Sequence, residues 1–170
     1  MFQNQVWINP AAALPGDFAS SNPMDFKVSS SGRLVADAAG VTVGHFAVVN
    51  NGTTTTGTVT SLPAAAVNPE LIVFVHREDN AGIVTYLAEA SNVIQPGNPV
   101  SAFRTGDFFV NADVITGTPV NGAAVYWDTV TGNTIIGAPG APPATTVATK
   151  FFLVSDAATV GATVIISDQA

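Results

Sequence analysis

The chain contains no cysteine, which excludes disulfides, thiolate metal sites and thiol nucleophiles together and leaves packing, hydrogen bonding and assembly to hold it. Charge is scarce as well. Charged residues make up 10% of 170 against 47% hydrophobic, so disorder driven by low hydrophobicity and self-repulsion is not expected over most of the length. The five bases, Lys27, Arg33, Arg77, Arg104 and Lys150, are scattered among 12 acids and leave a formal charge of −7. Binding a phosphate backbone depends on clustered Lys and Arg releasing counterions, so no direct nucleic-acid contact is expected. Long apolar runs are missing too. LIVFV and TVIIS fall far short of the roughly 20 residues that cross a bilayer as a helix, and MFQNQVWINPAAALPGDF has neither the positive region nor the apolar run of a signal peptide. The expectation is a soluble chain with no membrane contact.

One hydrophobic core is adequate at this length. The pattern divides into an extended N-terminal arm, residues 1–27, and a β-rich domain, residues 28–170. In the arm, Pro10, Pro15, Pro23 and Gly16 interrupt any regular hydrophobic period. Val6, Trp7, Ile8, Leu14, Phe18, Met24 and Phe26 are too apolar for a solvated tail, so the arm is expected to lie against its own domain or a neighbouring subunit. With so few charges, the exposed area must be largely Thr, Ser, Asn, Gly and Ala, unlike the surface of a solitary cytosolic domain. Part of it is expected to meet another protein.

Beyond Gly32 the chain reads as short β-prone runs ended by Gly, Pro and Asn: VTVGHFAVV, GTVTSL, LIVFVHR, GIVTYL, NVI, PVSAFR, DFFVNADV, AAVYWD, NTIIG, ATKFFLVS and ATVIIS. Asn51-Gly52 and Asn121-Gly122 are hairpin signals, because a tight turn with positive φ tolerates Asn and Gly. Only TYLAEAS, residues 85–91, gathers helix formers, and it is shorter than the roughly 12–15 residues an isolated helix needs. The predicted fold class is all-β: a β-sandwich, jelly roll or barrel-like domain with an extended arm. The Thr53–Thr56 run and GAPGAPPATT, residues 137–146, read as loops.

Catalytic groupings are weak. His76-Arg77-Glu78-Asp79 is the densest charged cluster, and a general base oriented by a carboxylate is one reading of it. A strand ending in a polar turn produces the same arrangement, and neighbours on a strand point to opposite faces, so the cluster is read as a strand-end ion-pair or interface site. His45 and His76 are the only histidines, neither in a metal-binding frame, and the acids form no calcium loop. No GxSxG, phosphate-binding loop or dinucleotide fingerprint is present. Glu89 and Asp107 as a glycosidase pair predict nothing without a known separation. No enzyme activity, metal or cofactor is expected. Trp7, Tyr126 and Trp127 are candidate aromatic anchors, with core packing the equal alternative for the last two and partner contact favoured for Trp7. Asn51-Gly52-Thr53 matches the glycosylation sequon but reads as a turn.

The order and spacing of PAAALPGDFASSNP, AAGVTVGHFAVV, VFVHRED, YLAEASNVIQPGNPV and GDFF resemble the structural cement, or capsid decoration, proteins of tailed bacteriophages. After Val120 the similarity is one of character more than of words, and the Thr53–Thr56 and GAPGAPPATT segments depart from it as loop-length differences. The resemblance implies a non-catalytic virion protein, made in the host cytoplasm, that binds the outer capsid surface and bridges neighbouring subunits of the DNA-filled head. Its implied partners are the major capsid protein and further copies of itself, as a homodimer or homotrimer. Trp7, Ile8, Leu14, Phe18, His76, Arg77, Glu78 and Arg104 are the expected capsid or oligomer contacts. The alternatives are a glycan- or receptor-binding β-module on the virion, and a small hydrolase dependent on His76.

Overall fold

The computed structural model describes residues 14–26, 33–50, 57–63, 68–77, 92–137, 145–155 and 159–169. Within them the chain is all-β, and its one helical piece is a single 3-10 turn, Pro69–Leu71, capped by the Asn68 side chain. Two six-stranded sheets form the body. The first has the order β1 (Asp25–Phe26), β8 (Ala102–Thr105), β6 (Ile72–Val75), β4 (Phe46–Asn50), β5 (Gly57–Thr60) and β2 (Leu34–Ala36). The second runs β10 (Val114–Thr116), β12 (Thr134–Gly137), β11 (Ala124–Asp128), β13 (Thr146–Leu153), β14 (Thr163–Ser167) and β9 (Asp107–Asn111). A small ladder joins β3 (Val41–Thr42) to β7 (Val93–Ile94).

Both large sheets curl until their edges nearly meet, and the connectivity requires it. In the second sheet, β9 and β10 lie on opposite edges yet are separated only by Ala112 and Asp113, which limits the gap between their nearest Cα atoms to about 11 Å. Ala112 donates its N–H to the Ala162 carbonyl next to β14, while the Asp113 carboxylate accepts the N–H of Thr134 in β12 (2.8 Å). The run from Asp107 to Thr116 therefore serves first one edge and then the other. The first sheet repeats the device: residues 97–100 bond to β2 through Gly97, Asn98 and Val100 before the chain continues into β8 and pairs with β6. Of the forms allowed by the sequence, the structure is a pair of barrel-like sheets packed as layers.

Alternation of side chains then explains the apolar runs. On β4 and β6, Ala47, Val49, Val73 and Val75 point into the curl of the first sheet, beside Leu34, Ala36, Val59 and Ala102. Phe46, Val48, Ile72 and Phe74 point the other way, into a core shared with Phe108, Val125, Trp127, Ile136, Phe151, Leu153 and Ile166 of the second sheet. Both faces of these two strands are buried, so FAVV and IVFV have no polar alternation. Trp127 is fully buried and Tyr126 nearly so, which settles their core role.

Two local expectations are corrected. Asn121-Gly122 does form a tight turn, with Gly122 at φ 86 and the Ala123 N–H on the Val120 carbonyl. It is not a hairpin, because β10 pairs in parallel with β12 and β11 pairs with β12 and β13. His45 sits in the turn between β3 and β4 instead of on a strand, with Nδ1 on the Gly132 carbonyl at 3.2 Å. Asn51-Gly52, TYLAEAS and most of the GAPGAPPATT loop lie outside the described residues.

Candidate capsid-contact surface

The motifs that are distant in sequence meet around Leu14–Asn22. Leu14-Pro15-Gly16-Asp17 closes a turn through the Asp17 N–H on the Leu14 carbonyl (3.0 Å), with Pro followed by a Gly of φ 98 at its centre, the sequence signature of a type II turn. The next residues run antiparallel to β9: Gly16 N–H donates to Phe109 O (2.8 Å), Phe109 N–H to Asp17 O (3.0 Å) and Ala19 N–H to Asp107 O (2.8 Å). On the other side, Arg77 N–H donates to Gly16 O (2.9 Å) and its Nε to Pro15 O (3.0 Å). The segment is a strap across the seam between β6 and β9, and hence between the two sheets. Its PGDF thus pairs directly with GDFF.

Close backbone approach makes this possible. A Cβ on Gly44 would lie 2.8 Å from the Pro15 carbonyl carbon, and one on Gly16 would lie 2.9 Å from a Val43 methyl, so the G of VTVGHF and the G of PGDF face each other across the contact. Phe18 then enters an aromatic stack: its ring is 4.0 Å from that of His76 at 27°, 5.1 Å from Phe103 and 5.4 Å from Phe108. Phe108 continues the series to Phe74 at 4.6 Å, in the shared core.

Asp107 fixes the strap's far end. Its Oδ2 accepts hydrogen bonds from Ser20 Oγ and Asn22 Nδ2, both at 2.5 Å. Burial pushes its carboxyl up, but hydrogen bonding by Ser167, Ser20 and Asn22 outweighs this and holds it below the ordinary Asp value. A depressed folded pKa gives stability that is present above the unfolded value and lost as pH falls through the folded one. Wild type is therefore expected to lose thermal stability on acidification below about pH 4 more steeply than Asp107→Asn. Parallel melting curves between pH 6 and pH 2.5 are the check; equal slopes would remove Asp107 as the strap's clamp.

Of the expected contact residues, Phe18, His76 and Arg77 are brought together here. Arg77 also reaches Asn92 Oδ1 (3.3 Å) and lies 3.8 Å from Asp17. Leu14 is 45% exposed at the strap's start. Arg104 is elsewhere: its Nη2 and Lys150 Nζ both donate to Glu70 Oε2, at 3.1 and 2.8 Å, which links β8 with β13. At this exposure such pairs contribute about 0–1 kcal/mol each, so the cluster orients surface charge more than it stabilises the fold. Trp7, Ile8, Glu78 and Glu89 lie outside the described residues. Sequence reading missed Gly44, Ser20 and Asn22 as parts of the strap contact.

Two further features complete the surface. Leu14, Met24, Leu62, Val93, Val114, Val120, Val130, Val154 and Val160 are large apolar side chains left exposed, with Val130 at 68% and Val160 at 65%. Val130 stands on the β11–β12 turn, which Asp128 braces by accepting the N–H of Val130 (2.9 Å) and the hydroxyl of Thr131 (2.8 Å). Beside this turn is an open cleft of about 210 Å³, lined by Asp37, Thr42, His45, Ser61, Leu62 and Val93 on one side and by Thr131 and Gly132 on the other. Among the described residues no group of three or more His, Asp or Glu is placed to hold a metal ion, and no helix is long and apolar enough to cross a membrane.

No curated protein sequence matches the chain. A chain in the solved capsid of Myoviridae phage XM1 shares the fold, with a TM-score of 0.58 over 98% of this chain and 96% of that one, at 14% identity. The family model described as XM1 gp53 minor capsid protein matches residues 2–168, nearly the whole sequence, with both curled sheets and the strap inside the match. The chain belongs to the XM1 gp53 minor capsid protein family.

Proposed function

We propose that this virion capsid protein is a cement protein: it binds the outer surface of the major capsid protein shell, bridges neighbouring subunits and stabilises the DNA-filled head without catalysing a reaction. The family match over residues 2–168 carries the reading. The surface supports it, since a charge-poor exterior with nine large apolar side chains exposed among the described residues suits attachment to other proteins. Repetition over the shell supplies strength, because contacts too weak to hold one copy become effective when each copy engages two or three sites at once. Self-association as a dimer or trimer belongs to the same proposal.

The bridging contacts fall to what lies outside the strap–domain contact. Phe18, His76 and Arg77 are occupied in holding the strap, so they act by fixing where the chain emerges. The 13 residues before Leu14, with Trp7 and Ile8, have a maximal reach of about 45 Å and are assigned the neighbouring subunit. Purified protein mixed with expanded capsids stripped of decoration is expected to co-sediment saturably, at a stoichiometry fixed by capsid symmetry, and not with unexpanded procapsids. Deleting residues 1–13 is expected to lower occupancy and capsid heat resistance. Absence of binding to either shell would defeat the reading and favour a glycan or receptor ligand.

A further inference from the structure

The cleft beside the β11–β12 turn has a chemistry that the surface around it lacks. His45 Nδ1 is 3.2 Å from the Gly132 carbonyl. A carbonyl only accepts, so Nδ1 carries a proton and donates to it, which fixes the ring at the edge of the cleft. Asp37 supplies a carboxylate: its Oδ1 accepts the Ala39 N–H at 3.0 Å, and it enters no ion pair among the described residues. Ser61 Oγ accepts the Thr42 N–H at 3.3 Å, which holds the loop that carries it. The walls are aliphatic, from Leu62, 53% exposed, and Val93, 36% exposed. Among the described residues no Lys or Arg lines the cleft.

An acceptor-rich floor with apolar walls is complementary to a side chain that has a methylene stem and a donor-only head. We propose that this cleft is a socket for a Lys or Arg side chain of the major capsid protein. The proposal rests on the decoration reading above and names the chemistry by which that shell is gripped. Charge favours the assignment. The chain carries −7, Arg77 lies beside Asp17 and Arg104 and Lys150 beside Glu70, and no ion pair to Asp37 is found among the described residues, so its carboxylate suits a partner's cation. Competing occupants fit less well. An anion is repelled by Asp37, an apolar knob would desolvate that carboxylate without compensation, and among the described residues no Phe, Tyr or Trp lines the cleft to stack on a sugar.

Two variants and one direct probe test the socket. Asp37→Asn keeps the Oδ1 acceptor for Ala39 and removes the charge. Leu62→Lys, at an exposed rim position, supplies the cleft with an ammonium of its own. Both are expected to weaken binding to expanded capsids about tenfold or more, with unchanged melting temperature. Separately, N-acetyl-lysine methylamide titrated into the full-length protein is expected to shift the amide resonances of Asp37, His45, Leu62 and Thr131 saturably, whereas N-acetyl-norleucine methylamide is not. Wild-type binding matched by both variants, no shifts, or equal shifts with the uncharged probe would overturn the socket and leave the decoration reading standing. Shifts with neutral sugars alone would assign the cleft to a glycan instead. If wild type itself fails to sediment with the shell, the decoration reading falls and the proposed occupant falls with it.

Discussion

Gly44→Ala is expected to unseat the strap and cost about 2–4 kcal/mol, with the left-handed backbone contributing roughly 1–2 of it and the collision the rest. Gly44 has φ 77, and a methyl there would sit 2.8 Å from the Pro15 carbonyl carbon and 3.0 Å from the Gly16 nitrogen, both backbone atoms that cannot swing aside. The strap must lift, and with it go the Arg77–Gly16 and Gly16–Phe109 hydrogen bonds and the Phe18–His76 stack. Gly161→Ala is the control. Gly161 also has positive φ, at 81, but open space where the methyl would go, so it reads the backbone penalty alone. At roughly 2–4 °C per kcal/mol for a domain of this size, Gly44→Ala should melt several degrees below Gly161→Ala and be cut earlier near its N-terminus by a protease. Equal melting temperatures would mean that the close approach of Pro15 to Gly44 holds nothing.

Phe74→Ala is expected to be worse still, at about 3–5 kcal/mol. The ring is fully buried and lies 5.4 Å from Phe46, 4.6 Å from Phe108 and 6.5 Å from Phe151, so it belongs to the first sheet while filling the core of the second. Its removal leaves a cavity between layers that neither can collapse into, since Val73 and Val75 on either side are committed to the opposite face. Urea unfolding followed by tryptophan fluorescence and by far-ultraviolet circular dichroism should shift to lower midpoint with both signals still coincident. Val130→Ala, at a position 68% exposed, is expected to stay within about 0.5 kcal/mol of wild type. A Phe74→Ala loss of similar size would show that the two sheets are not packed through this ring.

What the sequence made legible was the local part of this design. FAVV, IVFV and TVIIS announce strands through branched and aromatic side chains, and β4, β6 and β14 are found there. Strands of two or three residues escaped notice or were merged with neighbours: β1 at Asp25–Phe26, β2 at Leu34–Ala36, and β10, which lies within and beyond the end of DFFVNADV. Such pieces are too short to show a period and exist because a partner strand is already in place. The resemblance to decoration proteins rested on motifs whose meeting no spacing rule predicts. PAAALPGDFASSNP and GDFF are 87 residues apart at the Ser20–Asp107 contact, and the Gly16–Gly44 approach depends on the path of two loops. Likewise, the placement of His45 opposite Gly132 across the cleft, also 87 residues away, follows from how the layers stack and not from any pattern near either residue.

The two partner-switching runs are consecutive. Residues 97–100 serve β2, Ala102–Thr105 serves β6, Asp107–Asn111 serves β14 and Val114–Thr116 serves β12, so one short stretch of chain is the zip fastener of both curled sheets. Neither sheet is complete without that stretch, whose partners lie on both sides of it in sequence, β2 and β6 before and β12 and β14 after. Folding is accordingly expected to be slow, because distant segments must be brought together. Unfolding has the mirror-image property. Loosening the stretch from Gly97 to Thr116 removes strand partners from both sheets, so the two are expected to come apart together.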